Sequence, residues 1–126
     1  RALSKINTLF RLAGSNQRHC LNENEKAILL MRDAFERALA EANWKKEDIE
    51  LVIYVGVGRG FIEPGGSYIT AQALGIPHAH CFDLVDACMS WTRAIHLVDS
   101  FFKLNAYKKA MIINGEFNWR LGLPQV

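Results

Sequence analysis

Ala27, Leu30, Met31, Ala34, Phe35, Ala38, Leu39 and Ala42 recur at intervals of three and four. That spacing predicts an amphipathic helix with one apolar stripe. Asn22 or Asn24 is placed to cap its start, with Glu23 and Glu25 in the first turn, where the helix dipole favours carboxylates; Asn43 ends it. Upstream, Arg1 to Leu21 reads as an irregular segment with a turn at Gly14-Ser15-Asn16. Ile49 to Val55 (IELVIYV) is rich in β-branched and aromatic residues, as expected of a strand buried on both faces. Gly56 to Gly60 breaks it into a loop. Pro64 opens a second helix through Ala73, closed by Gly75. His80 to Val85 reads as the next strand, a helix follows from Ala87 or Cys88 to about Leu104, and Ala110 to Asn114 is a third strand.

The order α-β-α-β-α-β is the signature of crossover units and predicts an α/β fold with a mainly parallel sheet. The third helix is unusual. Met89, Trp91, Ala94, Ile95, Leu97, Val98, Phe101, Phe102 and Leu104 cover more than one stripe, and Arg93, His96, Asp99 and Lys103 are nearly its only titratable positions. A helix of that kind calls for covering layers on two sides. The other elements cannot supply both, so a second half of the protein or a partner chain is expected to complete the fold.

Composition narrows the classes. The chain has 126 residues, half of them hydrophobic and 22% charged, with a formal net charge of +2. This is an ordinary globular mix on the scale of one domain, with no basic block suited to nucleic acid or a membrane surface. No apolar run approaches the ~18 residues of a spanning helix, and no leader pattern is present. Three cysteines, Cys20, Cys81 and Cys88, lack CxxC spacing, which favours a reducing cytoplasm over a disulfide framework. The chain starts at Arg1 and stops at Val126 without a tail, and is read as a half-domain, residues 1–126, of something longer.

Cys88 is the candidate for chemistry. An unpaired cysteine is usually a small buried hydrophobe, which suffices for Cys20 and Cys81. Cys88 instead falls where a strand ends and a helix begins, at the carboxyl-end side of a parallel sheet, where open α/β folds keep their sites. Helix N-terminal amides stabilise a thiolate and make it a nucleophile. On local physics alone, both roles stand.

The wider pattern carries a resemblance. Phe82-Asp-Leu-Val-Asp-Ala-Cys88 resembles the nucleophile segment of the β-ketoacyl-ACP synthase III group in the thiolase superfamily, where a strand of the form FD-hydrophobic-x-x-AC leads into a buried central helix. Ala71 to Ile76 (AQALGI) is similar to that group's AxxLGI stretch, with Pro64 matching the proline that opens the preceding helix. Lys46 to Tyr54 (KEDIELVIY) resembles its helix-to-strand link, and Lys109 to Ile113 the strand after the nucleophile helix. Together these span most of residues 10 to 117.

The resemblance implies a thiolase-like fold, of which this is the N-terminal half, and an acyltransferase of the condensing type. Cys88 would be the catalytic residue, accepting an acyl group from coenzyme A or acyl carrier protein as a thioester, with its backbone N–H in the oxyanion hole. The thioester is then substrate, and no permanently bound cofactor or metal is implied. The partners implied are the acyl carrier protein or coenzyme A thioester and a second thiolase-fold subunit, as a homodimer or heterodimer.

Further substrate-binding positions follow by the same likeness. Arg11 lies one residue from the family's coenzyme A-contacting arginine, whose own position holds Leu12. Glu63 stands before Pro64, where members place an apolar residue that reaches the partner subunit's acyl pocket. Trp91 keeps the aromatic after the nucleophile, while Ser90 replaces a glycine. The family's catalytic His and Asn belong to its second half. The local histidines do not substitute for them, since His80 is up to ~25 Å away along a strand and His96 about 12 Å along a helix.

Other motifs are weaker. Gly56 to Gly60 has neither dinucleotide nor P-loop spacing and reads as a turn. His78-Ala79-His80-Cys81 has ligand types but no second cluster and reads as ordinary loop histidines. Asp83 is read as a local cap or pair. The alternative to an enzyme is a non-catalytic thiolase-fold subunit that dimerises with a catalytic partner and keeps its cysteine for packing; Ser90 and Glu63 favour it. A free-standing α/β binding domain is the third option, and the over-apolar helix argues against it.

Overall fold

A computed structural model describes residues 2–14, 21–22, 24–57 and 63–115. The chain runs α1 (Ala2–Leu12), α2 (Ala27–Ala42), β1 (Leu51–Val55), α3 (Gly66–Leu74), β2 (His80–Leu84), α4 (Ser90–Lys103) and β3 (Ala110–Asn114). Two short 3₁₀ turns, Lys46–Asp48 and Ala87–Met89, precede β1 and α4. The three strands form one parallel sheet in the order β2-β1-β3, with Leu51 opposite His80 on one side and Ala110 on the other.

All five residues of β1 are buried, as expected of a central strand covered on both faces. Alternation divides them. Val52 and Tyr54 pack with Phe35 and Leu39 of α2, Ala71 and Leu74 of α3, and Ile113 of β3. Leu51, Ile53 and Val55 face the other way, onto Ala94, Val98 and Phe101 of α4, with Phe82 and Ile112 beside them. Each fully buried aliphatic side chain of this kind contributes about 1.5–3 kcal/mol.

Helix ends follow local chemistry. Asn43 closes α2 in the left-handed region at φ 53°, and Gly75 closes α3 at φ 76°. In each case the next amide returns to the helix: Trp44 N–H to Leu39 O and Ile76 N–H to Ala71 O, both 2.9 Å. The start of α2 departs from expectation. Its boundary residue is Lys26, and the Glu25 carboxylate instead accepts the Asn22 N–H at 2.7 Å, closing a turn ahead of the helix. The opening segment departs further, because Ala2 to Leu12 is helical rather than irregular. Its apolar residues Ile6, Leu9 and Phe10 do recur at three and four, a short periodicity with no cap residue to announce it. Of the remaining sequence motifs, Cys20, His19 and Gly58 to Gly60 lie outside the described residues.

The third predicted helix is real, and its covering is one-sided in this chain. Ser90 and Ala94 are buried on the sheet, with Leu97, Val98 and Phe101 partly buried beside them. Trp91, Ile95 and Phe102 form an exposed apolar flank. Thr92, His96, Asp99 and Lys103 occupy the arc facing away from the sheet, within about 60° at 100° per residue. The helix is therefore less uniformly apolar than its list of hydrophobic residues suggests, yet one apolar flank has no cover among the described residues.

Candidate active site

β2 delivers the chain to the carboxyl end of the sheet at Leu84, and α4 leaves from there at Ser90. Five residues make the reversal, with Cys88 in the middle of the 3₁₀ turn Ala87–Met89. The thiol is exposed. The turn is held in an uncommon conformation: Ala87, directly before the cysteine, has φ 44°. For a residue with a Cβ such left-handed backbone costs on the order of 1–3 kcal/mol and persists only where the surroundings hold it.

Those surroundings are three side chains. The Ser90 hydroxyl accepts the Asp86 N–H at 2.8 Å and donates to the Ala87 carbonyl at 2.8 Å. It is 1% exposed, so both bonds lie away from water. Asp86 Oδ2 accepts from Arg93 Nε at 3.0 Å, and Arg93 Nη2 forms an ion pair with the same oxygen at 3.0 Å. A backbone bond from Met89 N–H to Asp86 O at 2.9 Å closes the turn beneath them. Serine at position 90 is thus accommodated by polar pairing with the turn.

A second carboxylate sets the neighbouring helix. Asp83 of β2 accepts the Gly66 and Ser67 amides at 2.7 and 2.8 Å, capping the start of α3. A Cβ at Gly66 would stand 3.2 Å from the Tyr54 ring, so glycine lets α3 approach the sheet closely enough for this bond. Asp83 is therefore a cap, but across elements rather than within its own segment, because the turn into α3 brings the Gly66 and Ser67 amides to β2.

The other sequence-selected residues lie on separate elements. Trp91 follows Cys88 by three residues and is 47% exposed on the open flank of α4. Its ring also borders an apolar groove of about 290 Å³, formed with Met31, Phe35 and Ala38 of α2 and with β3. Glu63 is exposed ahead of α3, and Arg11 is exposed in the last turn of α1. Trp91 sits in the first turn of α4, directly after the 3₁₀ turn that carries Cys88, and no hydrogen bond or ion pair among the described residues ties Arg11 or Glu63 to either.

No histidine joins the thiol in that turn. His80 opens β2, at the opposite end of the sheet, where its Nδ1 pairs with the Tyr107 hydroxyl at 2.8 Å and the two rings meet edge to face. Among the described residues, no group of three His, Cys, Asp or Glu side chains is placed to hold a metal ion. No helix among them is long and apolar enough to cross a membrane. Cys81 differs from Cys88 in environment. Partial burial, then the nearby Asp83 charge, push its thiol above the usual range, and its Sγ donates to Ala79 O at 3.3 Å.

The residues that sequence inspection passed over are Ser90 and Arg93 as supports of the turn. A signal existed: an acidic residue at the strand end with an arginine seven positions later, across a turn into a helix. Nothing in the one-dimensional pattern shows that the two side chains meet.

No protein-family model matches the chain. It is 31% identical over 108 residues to the β-ketoacyl-[acyl-carrier-protein] synthase III of Histophilus somni, covering 86% of this chain and 34% of that protein. It is 30% identical over 111 residues to the enzyme of the same name from Desulfitobacterium hafniense, covering 84% and 34%. The chain therefore spans about a third of the length of these relatives. Among solved structures, it superposes on Xanthomonas campestris OleA with bound lauric acid and lauroyl-CoA at a TM-score of 0.78 and 24% identity, covering 95% of this chain and 38% of the other. It superposes on the 3-oxoacyl-[acyl-carrier-protein] synthase III of Aquifex aeolicus at 0.74 and 25% identity, covering 82% and 33%. In sequence the chain is similar to part of the β-ketoacyl-ACP synthase III proteins, and its fold is a thiolase-like α/β fold of which it carries a part.

Proposed function

We propose that this chain is the nucleophile-bearing part of a thioester-dependent condensing enzyme, with Cys88 as the acyl acceptor. The observation that supports it most directly is the exposed thiol on a strained, braced turn at the carboxyl end of a parallel sheet. The similarity to synthase III proteins supplies the reaction class. In the proposed step, the Cys88 sulfur attacks the carbonyl carbon of an acyl-coenzyme A or acyl-carrier-protein thioester. A new C–S bond forms, the old one breaks, and the coenzyme or carrier thiol leaves with a proton. The Cys88 N–H is proposed to stabilise the oxyanion of the tetrahedral intermediate. The acyl group then passes to a carbon nucleophile, with a His and an Asn from the remainder of the thiolase fold serving that second step.

Glu63 and Trp91 are proposed as pocket residues, Glu63 toward the acyl pocket of a second thiolase-fold subunit, and Arg11 as a contact for the coenzyme. The uncovered flank of α4 at Trp91, Ile95 and Phe102 supports a further layer of protein over this helix. No resident cofactor is proposed.

The test is covalent. Full-length protein incubated with radiolabelled acyl-coenzyme A or acyl carrier protein should gain one acyl mass on the peptide containing Cys88. Cys88→Ala should abolish it, and equal labelling of that variant would refute the assignment. The non-catalytic alternative expects a cysteine packed inert, and the exposed position of Cys88 gives it no support. Iodoacetamide separates the two readings independently. An activated thiol at the start of a helix alkylates much faster than free cysteine near neutral pH, an inert one much more slowly.

A further inference from the structure

We infer that Asp86, Ser90 and Arg93 form a positioning brace that holds the Cys88 turn in its left-handed conformation and so aims the sulfur for acyl transfer. The inference rests on Cys88 being the acyl acceptor and adds residues that act on it through the turn rather than by touching substrate.

The geometry divides the brace into two arms with a shared member. One arm is buried: the Ser90 hydroxyl bonds both the N–H of residue 86 and the carbonyl of residue 87, at 2.8 Å each, on either side of the Asp86–Ala87 peptide. It fixes that peptide from one side. The other arm is exposed: Arg93, one turn further into α4, grips the Asp86 carboxylate with two nitrogens at 3.0 Å. Both nitrogens converge on the same oxygen, Oδ2, so the planar guanidinium approaches it along its Nε–Nη2 edge, an approach an ammonium does not reproduce. Both arms therefore tie residues 86 and 87 to the first turns of α4, and Cys88 is the next residue along. Ala87 needs such support, because at φ 44° an alanine relaxes toward ordinary backbone unless its neighbours prevent it. Relaxation there swings the Cys88 Cα–Cβ bond to a new direction. Small misplacements of a reacting group cost up to about a hundredfold in rate.

A brace of this kind makes a specific pattern of effects. Arg93→Met and Ser90→Ala should each slow formation of the Cys88 acyl adduct about tenfold. The concentration of thioester giving half-maximal rate should stay unchanged, since neither side chain is assigned to substrate. Arg93→Lys should recover the rate only in part. Ala87→Gly, which adopts a positive φ without strain, should restore much of the rate when combined with Arg93→Met. A purely structural loss would lower the fraction of folded protein in proportion to the rate and would leave the single-turnover rate of the folded fraction untouched.

The experiment is single-turnover acylation of full-length protein, followed by intact mass, with the folded fraction measured alongside by circular dichroism. Slower acylation in folded Arg93→Met and Ser90→Ala, with rescue by Ala87→Gly, supports the brace. Wild-type rates in both single variants overturn it while leaving Cys88 as acceptor. A rise in half-saturating thioester in place of a slower rate also overturns it, assigning Arg93 to substrate. Failure of the unsubstituted protein to form any adduct on Cys88 removes the acyl-transfer reading and the brace with it.

Discussion

Ala87 concentrates the chemistry of the site at one residue. It supplies no side-chain function, and its value lies in a backbone angle of φ 44° that redirects the chain between β2 and α4. Ala87→Gly should stabilise the folded chain by about 0.5–1 kcal/mol, the left-handed penalty being partly offset by the greater unfolded-state freedom of glycine. Urea denaturation of the two proteins side by side measures this. Asp83 makes the complementary case. Its carboxylate takes two amides at the start of α3, and Asp83→Ala leaves both part-buried donors unpaired. A loss of about 1–2 kcal/mol is expected, read from the same denaturation curves against an exposed control, Glu36→Ala.

Elements are joined at the amino-terminal end of the sheet by Glu50. Its backbone links both neighbours, N–H to Lys109 O at 3.0 Å and carbonyl to His80 N–H at 2.9 Å, and its carboxylate accepts the Lys108 and Lys109 amides. Those bonds, the Lys108 amide first, hold the Glu50 carboxyl below its ordinary value of 4.5. Asp48 is likewise lowered, by the Lys45 amide first and then by Lys109, its ion-pair partner at 3.0 Å. A depressed carboxylate stabilises the fold above its unfolded value and ceases to do so as pH falls through the folded one. The stability difference between wild type and Glu50→Gln should therefore be largest above about pH 5 and shrink toward pH 3. Denaturation midpoints across that range check the sign, and a difference that grows on acidification contradicts it. The central strand predicts a larger effect: Ile53, fully buried against α4, should cost about 2–5 kcal/mol as Ile53→Ala.

At the scale of the molecule, the described part of the chain has one sheet, two covered faces and several apolar surfaces left open. Ile95 and Phe102 on α4 are 47% and 39% exposed, and Leu9 and Phe10 on α1 more so. Isolated as 126 residues, the chain should bind a hydrophobic dye and self-associate on a sizing column. Ile95→Lys with Phe102→Glu should reduce both while changing stability by no more than about 0.5 kcal/mol per site. The same pair in full-length protein should impair folding if the proposed second layer covers that flank.

Much of this was written along the chain. Short apolar runs rich in β-branched residues place the three strands, a three-and-four repeat places α2, Pro64 and Gly75 frame α3, and a long apolar stretch places α4, each within a few residues, because burial on a sheet selects such residues. Asn43 and Gly75 mark helix ends by the left-handed backbone they tolerate, and the Phe82-to-Cys88 segment marks Cys88 as the proposed nucleophile by its place between strand and helix. The helix at Ala2–Leu12 is not legible in the sequence, because a short amphipathic segment without caps gives a faint signal. Only the folded chain decides that Asp86 meets Arg93, that Ser90 grips the peptide before the cysteine, and that Asp83 crosses to α3. Such pairings depend on where a turn points groups three to seventeen residues apart, and no linear spacing encodes that direction.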